Sequence, residues 1–178
     1  HTELEKAGVP HRYPIPEGIM VETPAAVYLT EYLAEQVEFF SIGTNDLTQY
    51  TLAAERGNLS LSDYNDALHP AILRQIQLVV LAAHKRGKRV TVCGEVASQP
   101  EALPLLVGLG VDELSMNPNA IPTQKAILAK IESGLARVLA QRATQCRNAG
   151  EVRHLAQCFL EEVEALELGE TDSLLRSE

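Results

Sequence analysis

Short apolar runs alternate along this chain with longer segments in which apolar residues recur every three or four positions. A short apolar run is typical of a buried strand, and the longer spacing is typical of a helix with one buried face. The predicted strands are 18–22, 38–43, 89–92 and 112–116. A helical pattern follows each of them, which indicates parallel strands in an α/β fold. This order suits an open doubly wound sheet or part of a (β/α)8 barrel, and we interpret it as half of a barrel.

Helix starts are clearest where proline follows a capping residue. Thr23 precedes Pro24 and predicts a helix over 24–36. His69 precedes Pro70 at the start of the best-defined helix, for which capping is the main role expected of the histidine. The apolar face of that helix carries Ile72, Ile76, Val79, Val80 and Ala83. The helix is expected to stop at Gly87.

The last part of the chain reads as helical. Ser98 and Glu101 have the spacing of a capping box, which predicts a helix over 99–109. From residue 121 the helical pattern breaks at 133–134 and again at 149–150. We therefore expect barrel units in 1–132, carboxyl-terminal helices in 133–168 and a disordered acidic tail in 169–178.

Polar residues that could take part in catalysis or binding follow three of the predicted strands. Glu22 follows the first strand, the pair Asn45-Asp46 follows the second, and Cys93 follows the third. The carboxyl ends of parallel strands share one edge of the sheet, where α/β folds keep reactive side chains. A carboxylate, an Asn-Asp pair and a thiol are therefore expected to share one rim.

Each of these residues has more than one possible role. Glu22 and Asp46 can converge on a cation, and two acids without histidine partners favour Mg2+ over zinc; equally, both can cap helices. Asn45 at a helix start and Arg56 in the loop over 55–68 suit an anion, although a lone loop arginine is more often only solvated. Cys93 suits proton donation more than nucleophilic attack, while a structural thiol is the default for a single cysteine.

Composition narrows the class of protein. The 178 residues are 46% hydrophobic and 22% charged, as in a globular domain. The net charge of -9 argues against a nucleic-acid surface. No apolar run approaches the roughly 20 residues of a membrane span. The three cysteines form no CxxC pair, and free thiols fit the cytoplasm. The opening residues look like the end of a helix, so a fragment of a longer protein is expected.

Several segments together resemble one known family. They are GIMVE at 18–22, FFSIGTNDLTQYTL at 39–52, RGN at 56–58, LHPAILR at 68–74 and CGE at 93–95. The chain resembles the carboxyl-terminal phosphoenolpyruvate-binding barrel of enzyme I of the bacterial phosphotransferase system over about 18–131. The segment at 115–119 departs from the serine-rich form expected there.

The resemblance implies a role for each candidate residue. Glu22 and Asp46 would bind Mg2+, Asn45 and Arg56 would hold phosphoenolpyruvate, and Cys93 would protonate the enolate to release pyruvate. The same pocket would be lined by Met20, Gly43 and Thr44.

The resemblance also implies partners for the chain. The phosphoryl group would pass to a histidine on an amino-terminal domain missing here, then to a histidine-containing carrier protein that serves sugar transport. A homodimer in the cytoplasm is expected. Two alternatives stay open: a phosphoenolpyruvate synthase or pyruvate phosphate dikinase fragment, and a non-catalytic dimerisation or regulatory module.

Overall fold

Four parallel strands pair in chain order in the computed structural model, which describes residues 1–55, 57, 61 and 64–167. The strands are β1 (Gly18–Val21), β2 (Phe39–Gly43), β3 (Arg89–Cys93) and β4 (Glu113–Ser115). The predicted alternation of parallel strands and helices is confirmed. The predictions for Arg56 and for the tail at 169–178 fall outside the described residues.

One short helix precedes β1, and helices follow each strand. They are α1 (Thr2–Lys6), α2 (Pro24–Tyr28), α3 (Thr30–Leu33), α4 (Thr44–Leu52), α5 (Pro70–Lys85), α6 (Ala102–Leu109), α7 (Ile121–Leu128), α8 (Ser133–Ala143) and α9 (Ala149–Glu167). No helix among them is both long and apolar enough to cross a bilayer.

The core lies between the sheet and the helices on one of its faces. Side chains alternate along a strand, so one set points to the helices and the other to the opposite face. The helix-facing residues Phe40, Ile42, Val90 and Val92 are fully buried. They share a core with the apolar face of α5, whose five predicted residues are all buried as expected. Ser41, Thr91 and Cys93 on the opposite face are only half-buried.

The predicted helix over 24–36 is wrong in its extent, because it breaks in two at Leu29. Thr23 caps α2 as expected, accepting a hydrogen bond from Ala26 N at 3.3 Å. The hydroxyl of Thr30 is buried and donates to the carbonyl oxygens of Ala26 and Val27, at 3.1 and 2.8 Å. A threonine that bonds backward to helix carbonyls in this way favours a bend. The second piece, α3, ends at Leu33.

The predicted capping box at Ser98 and Glu101 is also wrong. Ser98 closes a short 3₁₀ turn (Glu95–Ser98), and α6 begins only at Ala102 with no side-chain cap. The Glu101 carboxylate instead accepts a hydrogen bond from Arg153 Nη1 at 2.5 Å. A partner 52 residues along the chain has therefore displaced the local cap.

The carboxyl-terminal helices pack onto the strand-helix units. Gly108 of α6 lies so close to Ala136 of α8 that a Cβ would collide with the Ala136 carbonyl. Leu139 and Ala143 of α8 join the same hydrophobic core as the sheet. The predicted breaks at 133 and 149 coincide with the starts of α8 and α9. The division of the chain at residue 132 stays a prediction.

Candidate active site at the carboxyl ends of the strands

A pocket of about 210 Å³ opens at the carboxyl ends of β1, β2 and β3. Its lining residues are Met20, Glu22, Gly43, Thr44, Asn45, Asp46, Cys93 and Gly94. Every candidate residue named from the sequence is therefore at this pocket except Arg56, which lies outside the described residues. Strand register explains the gathering, because Val21 pairs with Ile42 and Gly43 pairs with Cys93.

The two carboxylates reach the pocket from different elements. Glu22 directly follows β1, and Asp46 lies in the first turn of α4. Gly43 makes room for the first carboxylate: a Cβ at Gly43 would stand 2.7 Å from both Cγ and Oε1 of Glu22. A side chain at position 43 would therefore displace Glu22 from the pocket.

Neither carboxylate has a hydrogen-bond or ion-pair partner among the residues that the structure describes. The helix caps seen nearby are provided by other groups: Thr23 caps α2, and α4 begins at Gly43 without a side-chain cap. Two half-buried carboxylates without such partners suit a cation.

The donor set fits magnesium. Mg2+ prefers oxygen ligands and commonly takes one or two carboxylates, with water and phosphate oxygens completing its shell. Over the described ranges, no group of three or more His, Cys, Asp or Glu side chains is arranged to hold a metal. Magnesium bound by Glu22 and Asp46 would thus keep several coordination positions for substrate oxygens and water.

Thr44 joins the start of α4 to the end of β3. Its hydroxyl is fully buried and donates to the Cys93 carbonyl oxygen at 2.7 Å. Gly94 must be glycine for this contact, since its φ is +119° and a Cβ there would collide with Thr44 Oγ1. The Thr44 hydroxyl is therefore engaged within the protein, and Thr44 borders the pocket mainly as a structural residue.

Asn45 keeps its amide nitrogen available. Its Oδ1 accepts a hydrogen bond from Glu95 N at 3.3 Å, while Nδ2 donates to no residue that the structure describes. This hydrogen bond orients the side chain and leaves Nδ2 as a donor for a ligand. Backbone N–H groups of the first turn of α4 add the partial positive charge of a helix start, which suits an anion.

Cys93 lies at the edge of the pocket in contact with β2. Its thiol donates to the Ile42 carbonyl oxygen at 3.4 Å, and the Ser41 hydroxyl donates to its sulfur at 3.5 Å. His84, the histidine nearest in sequence, is engaged elsewhere: its Nε2 lies 2.9 Å from Asp112 Oδ2, just before β4 begins. His84 therefore provides no basic partner that would make Cys93 a nucleophilic thiolate. This is consistent with Cys93 as a proton donor.

The structure also gives the positions of His69 and Met20. His69 caps α5, with Nδ1 accepting from Ala71 N at 3.2 Å. Met20 is 52% exposed on the outer strand β1 and forms the open side of the pocket. Sequence reasoning missed Ser41 as a neighbour of Cys93 and Gly94 as a residue of the pocket. The period of two along β2 could have indicated Ser41, since it shares a face with Gly43.

Comparison with known proteins decides the family. The family described as "PEP-utilising enzyme, PEP-binding domain" matches residues 1–133. The chain belongs to this family. Similar relatives occur in several organisms, and their similarity extends past residue 133 into the carboxyl-terminal helices, since the alignments span up to 161 residues.

Three relatives illustrate the similarity. A multiphosphoryl transfer protein of Escherichia coli O6:H1 is 44% identical over 90% of this chain and 19% of its own length. A phosphoenolpyruvate-protein phosphotransferase of Haloferax volcanii is 46% identical over 86% of this chain and 27% of its own. The phosphotransferase of Buchnera aphidicola is 42% identical over 89% and 28%. The chain thus spans less than a third of the length of these relatives.

A solved structure supports the fold. A citrate lyase from Burkholderia xenovorans superposes with a TM-score of 0.50 over 93% of this chain and 57% of its own, at 18% identity. At that identity the likeness concerns the α/β architecture alone.

Proposed function

We propose that this chain is the second half of the phosphoenolpyruvate-binding barrel of a phosphoenolpyruvate-protein phosphotransferase. The observation that carries the proposal is the pocket at the strand ends, where two unpartnered carboxylates, a helix start and a thiol meet in a member of this family. The names of the relatives favour a phosphotransferase over a synthase or dikinase.

The half-barrel proposal rests on the sheet. Among the described residues, β1 and β4 each have one strand neighbour, and parallel sheets are normally covered on both faces. Here Ser41, Thr91 and Cys93, which lie on one face of the sheet, are only half-buried in the described part of the chain. Four more strand-helix units from the same polypeptide would close the barrel and cover this face.

Glu22 and Asp46 would hold Mg2+ in this proposal. The metal would bind phosphate oxygens of the substrate and neutralise charge during phosphoryl transfer. The chain's own contribution is to bring the two carboxylates to one pocket, where Gly43 leaves room for the side chain of Glu22.

The remaining residues would hold the substrate. Asn45 Nδ2 and the first N–H groups of α4 would donate to its phosphate or carboxylate, joined by Arg56. Met20, Gly43 and Thr44 would border the substrate without bonding through their side chains. A fixed arrangement of this kind lowers the barrier mainly by positioning.

Cys93 would supply the proton that completes the reaction. After phosphoryl transfer the enolate of pyruvate remains. The S–H bond breaks, the enolate electron pair forms a C–H bond at its terminal carbon, and sulfur keeps the former bonding pair as a thiolate. Pyruvate leaves, and solvent returns a proton to the sulfur.

The partners follow from the resemblance. The phosphoryl group would pass to a histidine of another domain and onward to a histidine-containing carrier protein in the cytoplasm. We include a homodimer in the proposal.

Calorimetric titration of phosphoenolpyruvate, with and without Mg2+, tests the proposal on this chain and on the longer gene product. Binding that requires Mg2+ and is lost in Glu22→Gln is the expected result for the longer protein. Glu35→Gln is the matched control, since Glu35 pairs with Arg86 at 2.7 Å away from the pocket. Equal binding by the Glu22 variant, or no binding by either protein, would refute the assignment.

A further inference from the structure

Ser41 lies beside Cys93 and has no role in the chemistry proposed above. It lies on β2, aligned with Met20 of β1 and Thr91 of β3. Two residues later on the same face, Gly43 aligns with Cys93 and offers no side chain of its own. The Ser41 hydroxyl is therefore the side-chain group of β2 that reaches the sulfur, at 3.5 Å.

The two hydrogen bonds at the sulfur differ in what they do when the proton leaves. The Ile42 carbonyl oxygen accepts from the thiol at 3.4 Å and can offer nothing to a thiolate, because it is itself an acceptor. The Ser41 hydroxyl donates to the sulfur, and this bond strengthens once the sulfur is charged. Among the described residues, Ser41 makes no other side-chain hydrogen bond.

We propose that Ser41 is a positioning residue for Cys93, which holds the sulfur toward the pocket and stabilises the thiolate that remains after proton donation. The proposal rests on the proposed function for the identity of the proton acceptor, the enolate. The contact between Ser41 and the sulfur does not depend on it.

The first test measures the thiolate without any substrate. Cys146→Ser and Cys158→Ser together leave Cys93 as the only cysteine, and the rate of its alkylation by iodoacetamide at neutral pH reports the available thiolate. Ser41→Ala should slow this rate about threefold, because the roughly tenfold loss of thiolate expected from a lost hydrogen bond to a charged group is partly offset by the higher nucleophilicity of the remaining thiolate. An unchanged or faster rate in Ser41→Ala would overturn the proposal.

Two matched variants separate hydrogen bonding from packing. Ser41→Thr keeps the hydroxyl and should restore the rate to within about twofold of the parent, by the same bond. Thr91→Val removes a hydroxyl from the same face, where Thr91 donates to Glu113 Oε2 at 3.1 Å, and should leave the rate unchanged. A rate in Ser41→Thr as slow as in Ser41→Ala, with both variants folded by circular dichroism, would count against a role for the hydroxyl.

The second test follows proton transfer itself. Proton NMR in deuterated buffer, with Mg2+, measures exchange of the pyruvate methyl protons, which requires the enolate to gain and lose protons at the proposed site. Exchange should slow about tenfold in Ser41→Ala while the affinity for pyruvate stays within about twofold, since Ser41 would not contact the substrate. Exchange in the parent with no change in Ser41→Ala would overturn the proposal. No exchange by the parent would refute the proposed function and leave the alkylation result to decide on Ser41.

Discussion

The two ends of the sheet differ in whether their acidic side chains have partners. At the amino ends of β3 and β4, Arg89 pairs with Glu113 at 2.6 Å and His84 pairs with Asp112 at 2.9 Å. At the carboxyl ends, Glu22 and Asp46 have no such partner in the described part of the chain. Exposed pairs of this kind add at most about 1 kcal/mol each to the stability of the folded state, whereas the two carboxylates without partners are proposed to bind a ligand. The comparison therefore separates the end that holds the fold from the end proposed to carry the chemistry.

The largest expected effect contrasts two aspartates. Asp46→Asn should reduce Mg2+-dependent phosphoenolpyruvate binding at least about 100-fold, because one of two metal-binding carboxylates is lost. Asp112→Asn removes a carboxylate at the other end of the sheet and should leave binding unchanged. Titration calorimetry on the longer gene product measures both. Equal losses in the two variants would mean that the ends do not differ in function.

Two glycines at opposite ends of β3 give the next contrast. Gly87 has φ +65° with open space around its Cβ position, whereas Gly94 has φ +119° and faces Thr44. Gly87→Ala should lower the free energy of unfolding by about 1 kcal/mol, from the left-handed conformation alone. Gly94→Ala should lower it by about 3 kcal/mol, since strain and a steric clash add. Urea denaturation compares them, and equal losses would show that the Thr44 contact adds nothing.

A smaller effect is expected from the hydroxyl that joins α4 to β3. Thr44→Val keeps the shape of the side chain but leaves the Cys93 carbonyl without this donor. The free energy of unfolding should fall by about 1–2 kcal/mol, the effect of a lost buried hydrogen bond. Thr44→Ser, which retains the donor, is the control in the same urea titration. An unchanged free energy of unfolding in Thr44→Val would show that this hydrogen bond adds nothing to stability.

The smallest effect is a pH dependence at the amino end. Burial raises the pKa of Asp112, but hydrogen bonds from His84 and from Val90 N–H outweigh burial and hold that pKa below its ordinary value. A lowered pKa in the folded state adds stability above the unfolded value near ~3.9, and this stability is lost as the pH falls through the folded value. Because Asp112 is partly exposed, the contribution should stay below about 1 kcal/mol.

Asp112→Asn provides the check on this pH dependence. The difference in melting temperature between the parent and the variant should shrink as the pH falls below about 4. A difference that grows below about pH 4 would have the wrong sign for a lowered pKa.

Much of the fold could be predicted from the sequence because its signals are local. The apolar face of α5 and the cap at Thr23 each depend on residues within a few positions of one another. The failures involve distant partners. Glu101 had the spacing of a capping residue but binds Arg153, which also holds Asp66 with two hydrogen bonds of 2.7 and 2.9 Å.

The candidate site shows the same division. The polar residues after three strands predicted one rim, since parallel strands end at a common edge, and the pocket gathers those residues. The role of Thr44 could not be predicted in this way. Thr44 was expected to border the substrate, but its hydroxyl donates a hydrogen bond to the carbonyl oxygen of Cys93, 49 residues away.

By itself the sequence determined the order of strands and helices, the edge that carries the candidate chemistry and the family. Periodicity, capping residues and motifs are properties of neighbouring positions, so they can be read without coordinates. Only the tertiary structure decided which polar groups already have partners and which remain free for a ligand. Strand register brings Ser41 within hydrogen-bond distance of Cys93 and Glu22 against Gly43, and such contacts depend on how distant segments pack.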